Sequence, residues 1–355
     1  MLPSPVPAAV PALAVAPAFA APFASAGPPL VSVVIVSYNT RELTLRCLRE
    51  LKGHLAAEAL SHEIWVVDNA SKDNSAAAIE SEFPDVKLIA SEANLGFGPA
   101  NNLAFERARG QFLLLLNTDA FLHEGALARL VEFLCDPNNA RAGAVGPQLR
   151  NADGTLQVSC WKFPSPARSW MESLGIARVL GAHPRWGDYY RWAHDQTRRV
   201  DFVIGACLLV RREVYQEVGG FDPEFFLYAE ESDWQRRMHA AGWEVAFLPD
   251  ARATHLGGAS GAAEKARVSA LFWQGQERYI LKHFGRAGWG VMRAGAATGV
   301  ALRSVAYLVL ALSPRKRKRY QPQLRAGLEH LGRLLVSPPP QSRNKEQGAR
   351  NKAGA

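Results

Sequence analysis

The 355-residue sequence has four cysteines, Cys47, Cys135, Cys160 and Cys207, with no C-x-x-C pair and no regular spacing. That scatter argues against a zinc site or a disulfide framework and fits a reducing compartment. The first strand-like segment is followed by no G-x-G-x-x-G, which disfavours a dinucleotide reader of the dehydrogenase kind. Near the C-terminus the longest uncharged apolar run, Ser304 to Leu312, is far short of the ~20 residues that span a bilayer. An apolar fraction of 48% is also too low for a multi-span membrane protein. Residues 1–29 are nearly all Ala, Pro and other small apolar residues without the positive n-region of a signal peptide. Their prolines recur too often for a helix, so the segment reads as a disordered leader or an over-extended start. The net charge is +8, but from Pro314 onward eleven Lys/Arg face two Glu, leaving the preceding 313 residues at about −1. Basicity confined to a tail argues against nucleic acid as a partner, because a nucleic-acid-binding fold carries its positive face on its body.

What is present is a series of short buried strands alternating with helices. Val31 to Val36 is β-branched and ends on Ser37-Tyr38-Asn39; Glu63 to Val67 ends on Asp68-Asn69; Phe112 to Leu116 ends on Asn117-Thr118-Asp119. Between them, Leu43, Cys47, Leu48, Leu51 and Leu55 recur at helical spacing. This βαβ pattern predicts an α/β fold with a parallel sheet. In such sheets ligands sit beyond the carboxyl ends of the strands, where this chain places Asp68 and Asp119. A carboxylate beside an amide and a hydroxyl is a hard oxygen site suited to Mg²⁺ or Mn²⁺ carrying a diphosphate, or equally a polar cap for the helix expected near His123. The run Asn94 to Asn102 offers glycines for close backbone approach. Its amides, Asn101 among them, can bond a nucleotide or its phosphates.

Val33 to Asn39, Val66 to Ser71, Asn94 to Phe97 and Leu116 to Ala120, in that order and at those strand ends, resemble glycosyltransferase family 2. The resemblance implies a GT-A fold, Rossmann-like with a mostly parallel sheet and flanking helices, and inverting, metal-dependent transfer from a nucleotide-diphosphate sugar donor. It implies nucleotide contacts from Ser37, Tyr38, Asn39, Asp68, Asn94, Gly96, Asn101 and Asn117. Tyr38 and Asn39 would line the base pocket, Asp68 would contact base or ribose, and Asp119 would be the metal ligand of the Asp-x-Asp element. Asn117 departs from that element by replacing its first acid, and Pro99 interrupts a run that is often small.

In the second half, Val145 to Leu149 followed by Asn151-Ala152-Asp153-Gly154 predicts a strand and a hairpin turn. Gln157 to Pro166 resembles rhamnosyltransferase-like members. Trp186, Tyr189, Tyr190 and Trp192 either stack on an acceptor glycan or pack a long loop. Gly219 to Trp234 places Glu230, Glu231 and Asp233 at a helix start, a general-base candidate or an acidic decoration of the helix dipole. By resemblance Glu231 matches the family's aspartate base, Glu230 is the alternative, and Asp233 orients Arg236 or the base. Trp243 to Pro249 predicts an edge strand delivering His255, which resembles the late histidine that completes the metal shell. The Gly257-Gly258 loop after it would close over the donor.

Arg278 to Gly285 also looks familial and closes a transferase domain spanning 30–285. Residues 286–320, apolar but carrying Arg293 and Arg303, end on Arg315-Lys316-Arg317-Lys318-Arg319. An apolar helix with a basic cluster reads as an amphipathic anchor on the anionic cytoplasmic membrane face, or as a helix docked on the domain with a solvated tail. Residues 321–355 read as a largely disordered tail. The expected activity is sugar transfer to a glycan or lipid-linked acceptor of the cell envelope, and the rhamnosyltransferase-like resemblance implies rhamnose from dTDP-rhamnose. A catalytically inactive sugar-binding protein of the same fold is the other reading.

Overall fold

The computed structural model describes residues 27–176, 192–257 and 265–340. Residues 1–26, Trp186, Tyr189, Tyr190, the loop from Gly258 to Ser260 and residues 341–355 lie outside the described residues.

The first half runs β1 (Val31–Ser37), α1 (Arg41–Glu58), β2 (His62–Asp68), α2 (Ser75–Glu82), β3 (Lys87–Ala90), α3 (Phe97–Phe105) and β4 (Phe112–Leu116). Its strands pair in parallel in the order β3-β2-β1-β4, with Ser37 level with Asp68 and Val34 level with Leu115. β1, β2 and β4 are mostly apolar because both faces are covered, and the buried Ser32 hydroxyl of β1 donates to Glu63 of β2. Val33, Ile35, Leu114 and Leu116 meet α1 and α2 on one face. Val34, Leu113 and Leu115 meet α3 on the other.

The second half contains β5 (Ala120–Leu122), α4 (Ala126–Cys135), β6 (Ala142–Arg150), β7 (Leu156–Gln157), β8 (Cys160–Trp161), α5 (Pro166–Ser173), β9 (Arg198–Val200), β10 (Phe202–Val203), β11 (Cys207–Arg211), α6 (Arg212–Val218), α7 (Glu230–Ala240) and β12 (Glu244–His255). It continues the sheet as β4-β11-β6-β12-β5, with β11 antiparallel to both neighbours and β12 parallel to β6. The sheet therefore has a parallel half and a mixed half. β12 is an internal strand between β6 and β5, not the edge strand its sequence suggested. A register shift between Leu248 and Arg252 accommodates Pro249, which has no N–H for a regular ladder. The expected hairpin at Asn151–Gly154 joins β6 to β7.

Two long helices finish the described chain, α8 (Lys265–Ala311) and α9 (Pro314–Val336). α8 breaks at Gly285, whose φ is 66°. The tail expected to be disordered from residue 321 is helical as far as Val336, because the basic cluster forms the first turns of α9 and the helix continues through Pro322. Leu334 and Leu331 of α9 pack on Ala296, Val300 and Trp273, and this apolar stripe is what orders the segment. Arg293 is buried and donates to the carbonyls of Arg333, Leu334 and Ser337 at the C-terminus of α9, while Arg303 donates to the Ser173 carbonyl at the end of α5. Each arginine meets the negative end of a helix dipole. By length and composition alone, the stretch Arg267–Ala311 is long and apolar enough to cross a membrane, unlike the short uncharged run read from the sequence.

Gly96 joins the two halves. At φ 88° it lies so close to the second half that a Cβ would fall 2.1 Å from the Phe226 carbonyl oxygen, which also accepts the Phe97 N–H at 2.9 Å. Gly96→Ala is expected to cost about 3 kcal/mol, combining overpacking with left-handed strain. Gly154→Ala, at φ 81° in open space, carries only the backbone strain, about 1 kcal/mol. Equal losses for the two in denaturant unfolding would contradict the close approach.

Candidate active site

The parallel register aligns the carboxyl ends of β1 and β2 on one edge, with β4 ending on the same side. The β1 and β2 loops are tied together: Asn39 N–H donates to Ser71 Oγ at 2.9 Å, and Lys72 N–H donates to Asn39 Oδ1 at 2.7 Å. Asp68 is buried; its Oδ2 accepts the Ser71 N–H, and its Oδ1 has no hydrogen-bond partner among the described residues. A buried carboxylate oxygen left unsatisfied costs free energy and so marks a place for a donor from outside the chain. Tyr38 is half-buried beside it.

β5 and β12 bring Asp119 and His255 together across 136 residues of sequence. The antiparallel register sets His255 opposite Ala120, and His255 Nε2 lies 3.4 Å from Asp119 Oδ1. His255 Nδ1 is 2.7 Å from Gln157 Oε1, to which it donates, and Nε2 is the ring nitrogen that faces Asp119. Gln157 comes from β7 and is held in turn by Asn151 Oδ1 at 2.9 Å. Among the described residues no three His, Cys, Asp or Glu side chains cluster as a complete metal cage. An open pair of one carboxylate and one imidazole fits a cation that takes its remaining ligands from a diphosphate and water.

The third component is the start of α7. Tyr228 and Ala229 both have positive φ, 70° and 68°, and the strained turn delivers Glu230 and Glu231. Glu230 is buried, Glu231 is half-buried, and the Oε2 of each is buried with no hydrogen-bond partner among the described residues. Burial pushes the Glu230 carboxyl well above the ordinary range, with the neighbouring Glu231 charge adding to it; burial likewise raises Glu231. Glu231 sits beside Gly205, and the next residue's carbonyl, Ala206, accepts the Asn117 N–H at 2.9 Å. The loop before β11 thus connects the paired glutamates to the strand end that carries Asp119.

Comparison with known proteins bears on this arrangement. Residues 32–219 match the Glycosyl transferase family 2 model. The chain belongs to glycosyltransferase family 2. It is 31% identical over 316 residues to the N-acetylglucosaminyl-diphospho-decaprenol L-rhamnosyltransferase of Mycobacterium tuberculosis, covering 84% of this chain and 98% of that one. It is 29% identical over 261 residues to an O-antigen biosynthesis protein of Myxococcus xanthus, covering 71% of this chain and 19% of that one. Among solved structures, a mannosyltransferase of Pyrobaculum calidifontis in complex with GDP-Man and Mn²⁺ superposes with a TM-score of 0.50 at 19% identity, covering 89% of this chain and 91% of that one. The fold is GT-A, as the family resemblance implied.

Several residues of this glycosyltransferase have partners that the sequence did not disclose. Ser37 is fully buried, its hydroxyl 2.9 Å from Thr44 Oγ1 on α1. Asn101 is buried and donates to the Phe97 carbonyl within α3. Asn94 Oδ1 accepts from Gly96 N–H and Asn69 Nδ2, so its side chain shapes its own loop. Asp233 does not orient Arg236, whose guanidinium donates to the Tyr279 hydroxyl. Asp233 is fully buried and pairs with Arg237, Lys282 and His283. Burial alone would raise its carboxyl, but these three partners override it and hold it at about 2, which removes it as a base. Trp192 stacks on His194 and meets Phe247 edge-on, a packing role. Missed in the sequence were Asn69, which holds Leu95 N–H and the Gly96 carbonyl, and Asn102, which exchanges two hydrogen bonds with the backbone of Phe221. An open groove of about 770 Å³ lies elsewhere, between α4 and β12, lined by His123, Arg129, Asp250 and Arg252 among others. None of the candidate site residues lines it.

The raised glutamates give a stability signature. Above the ordinary value of 4.5 the unfolded chain releases the Glu230 proton, while the folded chain keeps it or buries a charge. Stability is therefore lost as pH rises from 4.5 toward the folded-state value. Glu230→Gln is expected to melt higher than the parent at pH 8 and to lose that advantage near pH 4. A melting difference independent of pH would contradict the assignment.

Proposed function

We propose that this glycosyltransferase moves a sugar, rhamnose from dTDP-rhamnose, to a glycan or lipid-linked acceptor in cell-envelope polysaccharide synthesis, in one inverting displacement. The observation that carries this reading is the joint between Glu231 and the Asp119 strand end through Gly205 and Ala206. It sets a raised carboxyl beside a diphosphate-suited edge. The name of the mycobacterial relative, an L-rhamnosyltransferase acting on an N-acetylglucosaminyl-diphospho lipid, supports the sugar and the acceptor class.

In this reading Tyr38, Asn39 and Asp68 receive the nucleoside, and the unsatisfied Asp68 Oδ1 accepts a hydrogen bond from base or ribose. Gly96 and Asn117 border the diphosphate. Asp119 and His255 would hold a divalent cation, Mg²⁺ or Mn²⁺, which when bound neutralises the charge of the leaving diphosphate. Glu231 takes the proton from the acceptor hydroxyl as its oxygen bonds to the anomeric carbon and the bond to the diphosphate breaks. A carboxyl raised toward neutral pH suits that task better than an ordinary one. Exposed Leu302, Val305, Leu308, Val309 and Leu312 run into the exposed cluster Arg315 to Arg319. That combination matches peripheral association with the anionic cytoplasmic face of a membrane, where a lipid-linked acceptor resides.

Glu231→Gln is expected to reduce sugar transfer by about 10²–10⁴-fold with donor affinity intact, measured as nucleotide release with dTDP-, UDP- and GDP-sugars. Undiminished transfer would remove Glu231 as the base. If the parent protein binds nucleotide but turns over none of these donors with lipid-linked acceptors, it is an inactive sugar-binding protein of the same fold.

A further inference from the structure

The segment that presents the glutamates, from Asp222 to Ala229, has no regular secondary structure of its own. It ends on two positive-φ residues and two buried carboxyls with orphaned oxygens, all of which favour its rearrangement. Something outside it must hold its shape. α8 lies along it and supplies that hold at three levels. Gly275 lets the helix approach so closely that a Cβ there would sit 2.4 Å from the Tyr228 carbonyl oxygen. Arg278 forms an ion pair with Glu224. Lys282 reaches both ends of the segment at once: its Nζ is 2.6 Å from Asp222 Oδ2, just before the loop, and 2.7 Å from Asp233 Oδ1, just after the glutamates. Between these anchors the ammonium lies 5.7 Å from the centroid of the Phe225 ring, which is 1% exposed and central to a small core with Ala229, Tyr279 and Ile280.

We propose that Lys282 is a positioning residue for the base of the transfer reaction, an ionic clamp that closes the loop carrying Glu230 and Glu231 and fixes where their carboxyls stand. Lys282 transfers no proton and touches no substrate. A clamp of this kind acts on geometry: releasing one end lets the strained Tyr228–Ala229 turn relax and moves the carboxyls away from the Gly205 loop. Displacements of about 1 Å at a reacting group cost up to about 10²-fold in rate. Lys282 itself contacts Asp222, Asp233 and Phe225 and none of the residues assigned to the nucleotide on β1, β2 and β4.

The inference rests on the base assignment of the preceding section. In the full-length protein, Lys282→Met retains the length of the side chain and removes its charge. The expected result is a kcat lower by about tenfold to a hundredfold, with nucleotide affinity by calorimetry within about twofold of the parent. Lys282→Arg, which restores a cation, is expected to recover most of the rate. A folded Lys282→Met protein with kcat within about twofold of the parent, or one losing nucleotide affinity as much as kcat, overturns the clamp. If Lys282→Met does not fold, Asp222→Asn breaks only one of the two bridges and keeps Oδ1 for the Glu224 N–H, and the same split and the same overturning result apply. Glu231→Gln measured in parallel separates the two levels. An active Glu231→Gln protein defeats the base assignment and the clamp with it, whereas an inactive one beside an unaffected Lys282→Met defeats the clamp alone.

Discussion

Two adjacent carboxyls kept out of water are the constraint around which this molecule is arranged. A buried, unsatisfied carboxylate oxygen is costly, and Glu230 and Glu231 present one each at the same helix start. The surroundings offset that cost with fixed contacts from every side. Phe226 is bonded to the Gly96 loop of α3, Gln235 fastens α7 to both backbone groups of Val203, and α8 closes over Tyr228. Asp233, two residues beyond Glu231, shows the opposite solution: fully buried, it is given Arg237, Lys282 and His283 as partners and remains ionised. Neighbouring acids on one helix turn thus have opposite proton affinities because one has partners and the others do not.

The sheet makes those acids useful. Its parallel half gathers the ends of β1, β2 and β4 on a single edge, and its mixed half folds back to lay β12 against β5, so that His255 arrives beside Asp119. The β6–β7 hairpin then supplies Gln157 to set the imidazole's tautomer. The loop before β11, bonded to Asn117 on one side and packed against Glu231 on the other, joins the glutamates to the strand end that carries Asp119. The same long helix that braces the glutamates continues past the Gly285 break into the exposed apolar stripe and the basic turns of α9.

β1, β2 and β4 were legible because each is a largely apolar run that stops on a polar residue, the pattern of a strand buried on both faces. Asp119 and His255 were legible as members of a recognisable set, and the β5–β12 register joins them. Side-chain direction was not legible. Ser37, Asn94 and Asn101 occupy the positions at which a ligand is expected, yet their polar atoms bond to Thr44, Gly96 and Phe97. Gln157 was missed because its role depends on a side-chain contact between residues 98 apart, set up by the separate pairings of β7 and β12 with β6, which no local spacing encodes. The α9 helix was missed for the converse reason: its first turns carry a block of like charge that reads as solvated tail, while the leucines that dock it come later.

The most direct test of the account is calorimetric titration of dTDP, UDP and GDP, with and without Mn²⁺, into the parent protein and into Asp119→Asn. The account predicts that one nucleotide binds with an affinity that depends on the metal, and that Asp119→Asn abolishes the metal dependence. Failure of all three nucleotides to bind, or binding indifferent to both Mn²⁺ and the substitution, would contradict it and leave the acids at the strand ends with a purely structural role.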